Sequence, residues 1–449
     1  MTEESKATFF RQSGWVALAT VLGGVFLTAV HIVVTGPGGM SETEYSTFVT
    51  LLRVQLLISI PAAGIQTLLA RQSAAANSTE EVRKLMTTFR RVVFFVLILW
   101  LGLVATLCII QSGNDQFYKH WKVSNAVSVW LTLAVGLVSL LLPAARGILM
   151  GRQDFKNLGW SIVIDGVGRF AAVMAAMFLG YQAAGGMAGV LIGLLCSLAL
   201  SFYCIRDLPW CENETLNWLP WLKQALPLAI GPGVLMIMFS ADVLFVQETF
   251  PDTQTHFYMP VATVGLALFM FVTPMGTVMF PKLVSSHTEG KSNVALRYAF
   301  TGTCILGSLA FIILLLIPKL PLWIIYFKSP IYWQSSPLIP WYIASLFPLL
   351  LANVIIGNLL AKKRLNGWKC VVLLLLAAGY AFALVNQRPQ LLAMTIDVVM
   401  AKNELANATK DAFQRVIITF GVFNLAILSV AAGFTWWHHR PVTNAAEEH

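Results

Sequence analysis

Long apolar stretches separated by short polar turns fill this sequence. Windows of about 19 apolar residues place twelve candidate spans at 13–34, 46–70, 91–111, 124–148, 158–180, 183–204, 222–247, 257–281, 298–318, 338–361, 367–386 and 415–436. Runs of this length suit helices that cross hydrocarbon and are too long for the strands of a membrane barrel. Lipid offers no hydrogen bonds to an exposed backbone, so helices follow. A tight turn near Gly180 separates the fifth and sixth spans. The pattern predicts an all-α polytopic membrane protein of about twelve transmembrane helices, with no soluble domain large enough for an enzyme active site. Trp121, Trp218, Trp221, Trp333, Trp436 and Trp437 fall near predicted span ends, where an aromatic belt belongs.

Composition agrees. Hydrophobic residues are 57% of the chain and charged residues 11%, against about 25% charged in soluble domains. Charge also sets direction. With the N-terminus inside, the cytoplasmic segments and adjoining span ends hold 20 Lys and Arg and the outside ones 8, while two, Arg53 and Arg169, remain well within spans. This bias predicts a multi-pass inner-membrane protein with both termini cytoplasmic. The net charge of +9 then faces anionic lipid, not nucleic acid. No cleavable leader is expected, because Met1–Lys6 is polar and the first apolar run is too long for a signal sequence. The six cysteines lack paired spacing and are read as free thiols.

A repeat underlies the layout. At a constant offset, Phe26, Val30, Val33, Tyr45, Thr50 and Pro61 match Phe239, Val243, Val246, Tyr258, Thr263 and Pro274. Gly147–Arg152 parallels Gly357–Lys362, and each is followed by a Gly-Trp pair, Gly159-Trp160 and Gly367-Trp368. Six spans, an even number, separate the copies. The halves, residues 1–210 and 211–449, therefore share a topology, as in transporters that bind substrate at the repeat interface. The second half is expected to carry a periplasmic loop at 387–414, with an apolar stretch Leu391–Met400, and a cytoplasmic tail.

Three local stretches carry a family likeness: Leu226–Gly231 running to Ser240–Leu244, then Tyr258, Pro274 and Phe280-Pro281-Lys282; Gly64–Leu68 with Ala70-Arg71; and Gly147–Phe155. With the twelve-span layout they resemble the polysaccharide transport branch of the multidrug/oligosaccharidyl-lipid/polysaccharide exporter superfamily. The resemblance implies a V-shaped pair of six-helix bundles, a MATE-like flippase fold, around a central cavity. It also implies alternating access that flips an undecaprenyl-diphosphate-linked oligosaccharide to the periplasmic leaflet for surface polysaccharide synthesis. Membrane lipid and the polysaccharide polymerase or glycosyltransferases of such a pathway are the partners it implies. The long 387–414 segment departs from that layout.

Charges inside spans are costly and tend to face a cavity or a partner. Arg53 and Arg169 offer planar forks suited to phosphate oxygens. Snorkelling is the alternative for Arg53. An i,i+4 ion pair with Asp165, which would also bring Asp165 to the site, is the alternative for Arg169. Asp242, in the seventh span, is a candidate for proton or sodium coupling, against a plain hydrogen bond to a neighbouring helix. Pro227 with Gly231-Pro232-Gly233 is the densest kink cluster and the candidate hinge. No Walker A loop or metal-ligand spacing is present, so no cofactor is implied. A multidrug or cation antiporter of the same superfamily is the second reading, which two buried arginines disfavour. A membrane glycosyltransferase or polymer ligase is the third, and a scaffold that lost transport the fourth. Reporter fusions at residues 80 and 440 are expected to read inside, and those at 40 and 400 outside. A periplasmic reading at residue 80 contradicts the map.

Overall fold

The computed structural model describes residues 3–112, 122–123, 125–209, 217–288, 292–396 and 407–437. The helices are α1 (Glu3–Val34), α2 (Glu42–Ile58), α3 (Ile60–Ala75), α4 (Thr79–Ser112), α5 (Ala126–Gly151), α6 (Phe155–Phe178) and α7 (Ala183–Ile205). Then come α8 (Trp218–Thr249), α9 (Asp252–Thr288), α10 (Ser292–Leu316), α11 (Leu320–Ile325), a 3-10 helix (Pro330–Leu338), α12 (Ile339–Ala361), α13 (Gly367–Ile396) and α14 (Asn407–Trp437). Among the described residues there is no strand. Among the described residues ten helices are long and apolar enough to cross a membrane, and the bent pair α2–α3, taken as one span, makes an eleventh. The remaining predicted span falls on α10, whose described apolar part is Phe300–Leu316.

Polar residues fix where these helices start. Ser41 Oγ accepts from the Glu44 amide ahead of α2, Asn125 from Val127 ahead of α5, and Asp154 from Asn157 ahead of α6. Ser78 and Glu81 form a reciprocal capping box at α4: Glu81 Oε2 accepts from the Asn77 and Ser78 amides, and Ser78 Oγ accepts from the Glu81 amide. The predicted turn after α6 is built on Gly180, whose φ of 78° needs glycine.

The sequence repeat is visible in backbone detail. α5 and α12 end in the same motif, with Gln153 (φ 60°) and Lys363 (φ 53°) in the left-handed region. Gln153 N donates to Met150 O and Asp154 N to Leu149 O, while Lys363 N donates to Leu360 O and Arg364 N to Leu359 O. These are matching Schellman caps at equivalent places in the two halves.

Helices α1–α7 meet helices α8–α14 through α2 and α3 against α8, and α1 and α2 against α9. α9, the span that contains α12, and α8 are the most enclosed, with 72%, 67% and 61% of their apolar windows buried, while α4, at 6%, stands at the periphery. Without a hydrophobic drive between helices in lipid, small residues bring backbones together. At Gly64 of α3 an added Cβ would lie 2.6 Å from the Ala225 carbonyl oxygen and 2.9 Å from Ala229 Cβ of α8. At Gly233 of α8 it would lie 2.5 Å from Ile60 Cγ2. This seam joins the halves at the face that carries the α5–α6 turn.

The segment 387–414 differs from expectation. α13 continues to Ile396 and α14 begins at Asn407, so both ends of the expected loop are helical; residues 397–406 lie outside the described residues. The polar run Asn386–Gln390 ends the apolar window but not the helix. Leu391, Thr409, Ala412 and Phe413 are buried, and Arg388 finds Glu248 at 3.1 Å. The described cysteines are free, and Cys211 lies outside the described residues.

Overpacking a close helix contact costs about 1–3 kcal/mol. Gly64→Val is therefore expected to lower the thermal midpoint of the purified protein by several degrees. Gly24→Ala is expected to leave it unchanged, because nothing lies within 4 Å of a Cβ there. Equal midpoints for the two variants contradict the seam.

Candidate functional site

Two clusters of buried charge stand out, one between the halves and one inside the first half. The first is built on α2, about 16 Å along from its start at 1.5 Å per residue. There Arg53 is 2% exposed, and its Nη2 donates to Ala262 O of α9 at 2.9 Å. Ser240 Oγ of α8 donates to the Arg53 carbonyl at 3.5 Å. Two residues further along α8, Asp242 is fully buried, and its Oδ2 accepts from Tyr258 of α9 at 2.7 Å and from Tyr342 of α12 at 3.1 Å. Arg53 and Asp242 act on each other electrostatically without a direct ion pair. Arg53 Nη1 and Asp242 Oδ1 make no hydrogen bond. The sequence placed these two residues in separate spans with separate roles; the fold brings them to one inter-half interface.

A lid of aromatic residues covers this interface at the face carrying the α1–α2 turn. Tyr45 Oη lies 2.6 Å from Tyr326 Oη and 3.1 Å from His31 Nδ1. Tyr332 packs on both tyrosines, at centroid distances of 5.5 and 5.0 Å. Ser329 donates to the Thr35 carbonyl, and Lys122 pairs with Asp252 at 3.3 Å. The halves thus touch at both faces, here through polar aromatics and at the opposite face through the α3–α8 seam.

The second cluster holds Arg169, as the i,i+4 spacing suggested. Its Nε donates to Asp165 Oδ1 at 2.6 Å and its Nη2 to Oδ2 at 3.3 Å, along one face of α6. A third member, Arg146 of α5, approaches Asp165 Oδ2 at 3.6 Å. Arg146 Nε donates to Ser161 Oγ at 2.9 Å, and its Nη2 to Ser161 O at 3.0 Å and Ser197 Oγ of α7 at 2.9 Å. Ser161, Ser197 and Ser201 link α6 to α7. Close packing shapes the site: a Cβ at Gly193 of α7 would lie 2.4 Å from Arg169 Cγ. Sequence reading missed Arg146, counting it as a flank of its span. The signal was there: it lies five residues before the end of α5, about 7 Å inside the helix.

The cluster Pro227, Gly231, Pro232 and Gly233 lies within one helix, α8. Its glycines are contact points: Gly233 meets Ile60, and a Cβ at Gly231 would lie 2.9 Å from Leu360 Cδ1. The recorded bend, 43°, falls instead between α2 and α3, where Pro61 opens α3.

The profile of the polysaccharide biosynthesis protein family matches residues 39–287. No curated protein matches the sequence. In structure the chain is similar to a multidrug resistance MATE family transporter of the MOP superfamily in an inward-facing conformation, at 12% identity and a TM-score of 0.67, covering 95% of this chain and 97% of that one. It is similar to an outward-facing MATE transporter at 14% identity and a TM-score of 0.65, covering 96% and 94%. A MOP superfamily transporter from Pyrococcus furiosus, described by a reversed polarity of its binding pocket, matches at 14% identity and a TM-score of 0.65, covering 96% and 94%. At these identities the likeness is one of fold.

A buried charge left without its counter-charge is destabilising, and members of one network are coupled by about 0.5–3 kcal/mol. Arg53→Gln and Asp242→Asn are each expected to lower the thermal midpoint. The double variant is expected to recover at least half of the summed loss. Strict additivity of the two losses contradicts an interaction across the interface.

Proposed function

This chain belongs to the polysaccharide biosynthesis protein family and has the fold of MOP superfamily transporters, and from that premise we propose that it flips an undecaprenyl-diphosphate-linked oligosaccharide from the cytoplasmic to the periplasmic leaflet by alternating access. The observation that carries the reading is the cluster of Arg146, Asp165 and Arg169, with side chains 17%, 14% and 12% exposed. A diphosphate crossing hydrocarbon needs fixed cations, because burying its charge unpaired is prohibitive. Two guanidinium forks on one carboxylate supply them while leaving the site weak enough to release cargo. The same sign of charge disfavours a cationic drug as cargo. Family and fold point to a transporter and not an enzyme.

Two seals between the halves suit alternating access. In this reading cargo enters while the α3–α8 seam is open and leaves when the Tyr45–Tyr326 lid parts. Arg53, enclosed here, becomes reachable to the diphosphate as the halves separate around it. Asp242, freed from Arg53 in the same step, is the candidate for proton or sodium coupling. Pro227 and Pro232 give α8 the freedom to flex as the seam opens. The membrane is then a bacterial inner membrane with both termini cytoplasmic, and the glycosyltransferases that assemble the saccharide are its functional neighbours.

Complementation of a flippase-null strain, with membrane levels checked by immunoblot, tests this. Arg169→Gln is expected to cut polysaccharide export at least tenfold at normal protein level, and Arg169→Lys to retain a larger share, because the charge survives and only the fork is lost. Full export by Arg169→Gln contradicts the assignment. Transport by Asp242→Asn is expected to lose its dependence on the coupling gradient; unchanged dependence removes Asp242 from that role.

A further inference from the structure

Basic turns are common on the cytoplasmic faces of membrane proteins, and the α12–α13 turn of this chain goes further than that rule asks. Lys362, Lys363 and Arg364 follow α12 directly, and Lys369 stands in the first turn of α13. The repeat-mate is the α5–α6 turn, whose backbone takes the same path, Gln153 matching Lys363. There Arg152 is offset by Asp154, whose carboxylate caps α6 by accepting from Asn157. Arg364 occupies the place of Asp154, so the second copy keeps the turn and puts a cation where the first has a carboxylate. Arg364 repels Lys362 and Lys369. Among the described residues, the side chains of Lys363 and Arg364 make no ion pair. Lys369 is held rigidly: it is 2% exposed, its Nζ donates to the Arg364 carbonyl at 2.8 Å, and it lies 5.7 and 5.5 Å from the ring centroids of Trp368 and Phe434. Cations are unfavourable at the positive end of a helix dipole, and the two together favour a bound anion. The turn also stands at the mouth of the seam between the halves. Leu360 and Leu365, on either side of it, would lie 2.9 and 3.3 Å from a Cβ at Gly231 of α8, and Gly233, two residues on, meets Ile60 of α3.

We propose that Lys362, Lys363, Arg364 and Lys369 form a docking site that captures the diphosphate of lipid-linked cargo at the cytoplasmic end of the α3–α8 seam, before the seam opens. This rests on the functional reading above and adds an entry step to it. In that topology the turn lies at the depth of the cytoplasmic headgroups, where the diphosphate of such a lipid resides. Residues 362–369 contain no carboxylate to oppose an anion. Coulombic attraction scales with the product of the charges, so a diphosphate diester with two negative charges gains more here than a phospholipid phosphodiester with one. It also screens the repulsion among the four cations. Arg364 offers a planar fork to the phosphate oxygens, and the lysines offer point charges. Cargo held here is still outside the halves, and Arg146 and Arg169 receive it once the seam parts. Docking raises the amount of cargo beside the seam and leaves the later passage to the first-half arginines. Its loss therefore acts on half-saturation more than on the saturated rate.

The test uses the full chain in phosphatidylcholine proteoliposomes with a tail-labelled fluorescent prenyl-diphosphate-linked monosaccharide. Dithionite bleaching follows its movement between leaflets while its density is varied. Lys363→Gln/Arg364→Gln is expected to raise the half-saturating cargo density at least fivefold and to regain more than half of the native rate at saturation. Arg169→Gln, by contrast, is expected to lose rate at every density. The backbone carbonyl that Lys369 grips is untouched by the double change. Lys363→Glu, at an exposed position, is expected to raise the half-saturating density to a similar extent, and it decides the matter if the double variant is not incorporated. A half-saturating density within twofold of the native one overturns the docking site, and so does a loss confined to the saturated rate. Unlabelled lipids added in equal amounts identify the source of the phosphate. The diphosphate lipid is expected to compete in the native protein and phosphatidylglycerol to have no effect. Competition by phosphatidylglycerol that the double variant abolishes assigns the turn to phospholipid and overturns the docking of cargo. A native protein that does not move the diphosphate lipid at all overturns the functional reading and the entry step with it, whereas the other outcomes leave that reading standing.

Discussion

A charge held in hydrocarbon has to find its compensation within the chain, because the solvent supplies none. That constraint organises this structure around two places. Between the halves, Arg53 is satisfied by a backbone carbonyl of α9, and Asp242 by two tyrosine hydroxyls from α9 and α12. Each charge is thus tied to helices of the second group, and Arg53 brings α2 of the first group to them. Inside the first half, Arg146, Asp165 and Arg169 tie α5, α6 and α7 together with three serines. Most of the rest of the buried core is apolar.

The charges are laid asymmetrically on a symmetric frame. The halves share their helix order and their matching caps at Gln153 and Lys363, and Tyr45 and Tyr258 are repeat-mates, both fully buried. At the same offset, however, Arg53 faces Leu266 and Asp242 faces Ala29. Counting from the Gly147/Gly357 match and from the Gly-Trp pairs, Arg146, Asp165 and Arg169 correspond to Ile356, Leu373 and Ala377, all buried and apolar. These cations belong to the first half, and the fully buried carboxylate of Asp242 to the second. A frame with a repeated layout thus carries these cations on one side only.

Much of this was legible in the sequence for a simple reason: lipid imposes one length and one backbone solution on every span. Each predicted span falls on a helix except 46–70, which falls on the bent pair α2–α3, and the i,i+4 spacing of Asp165 and Arg169 appears as an ion pair at 2.6 Å. What periodicity could not convey was partnership between distant helices. Arg146 looked like a flanking cation because its counter-charge is 19 residues away on another helix. The nearness of Arg53 and Asp242, 189 residues apart, was equally invisible. Hydropathy also misjudged 387–414, where a polar stretch ends an apolar window but hydrogen bonding within the helix does not stop. The Pro-Gly cluster of α8 reads as a hinge because both residue types mark breaks; in the folded chain it lies within one helix, and its glycines also make close contacts with Ile60 and Leu360, which the spacing did not convey.

Recognition of a diphosphate by the arginines of the first half is the claim on which the functional account turns, and it concerns equilibrium binding before any movement. Native mass spectrometry of the purified protein, offered equal amounts of an undecaprenyl-diphosphate-linked oligosaccharide and phosphatidylglycerol, measures it most directly. The account predicts that the native protein retains the diphosphate lipid in preference and that Arg169→Gln loses the preference. Equal retention of the two lipids by the native protein, or an undiminished preference in Arg169→Gln, would contradict it.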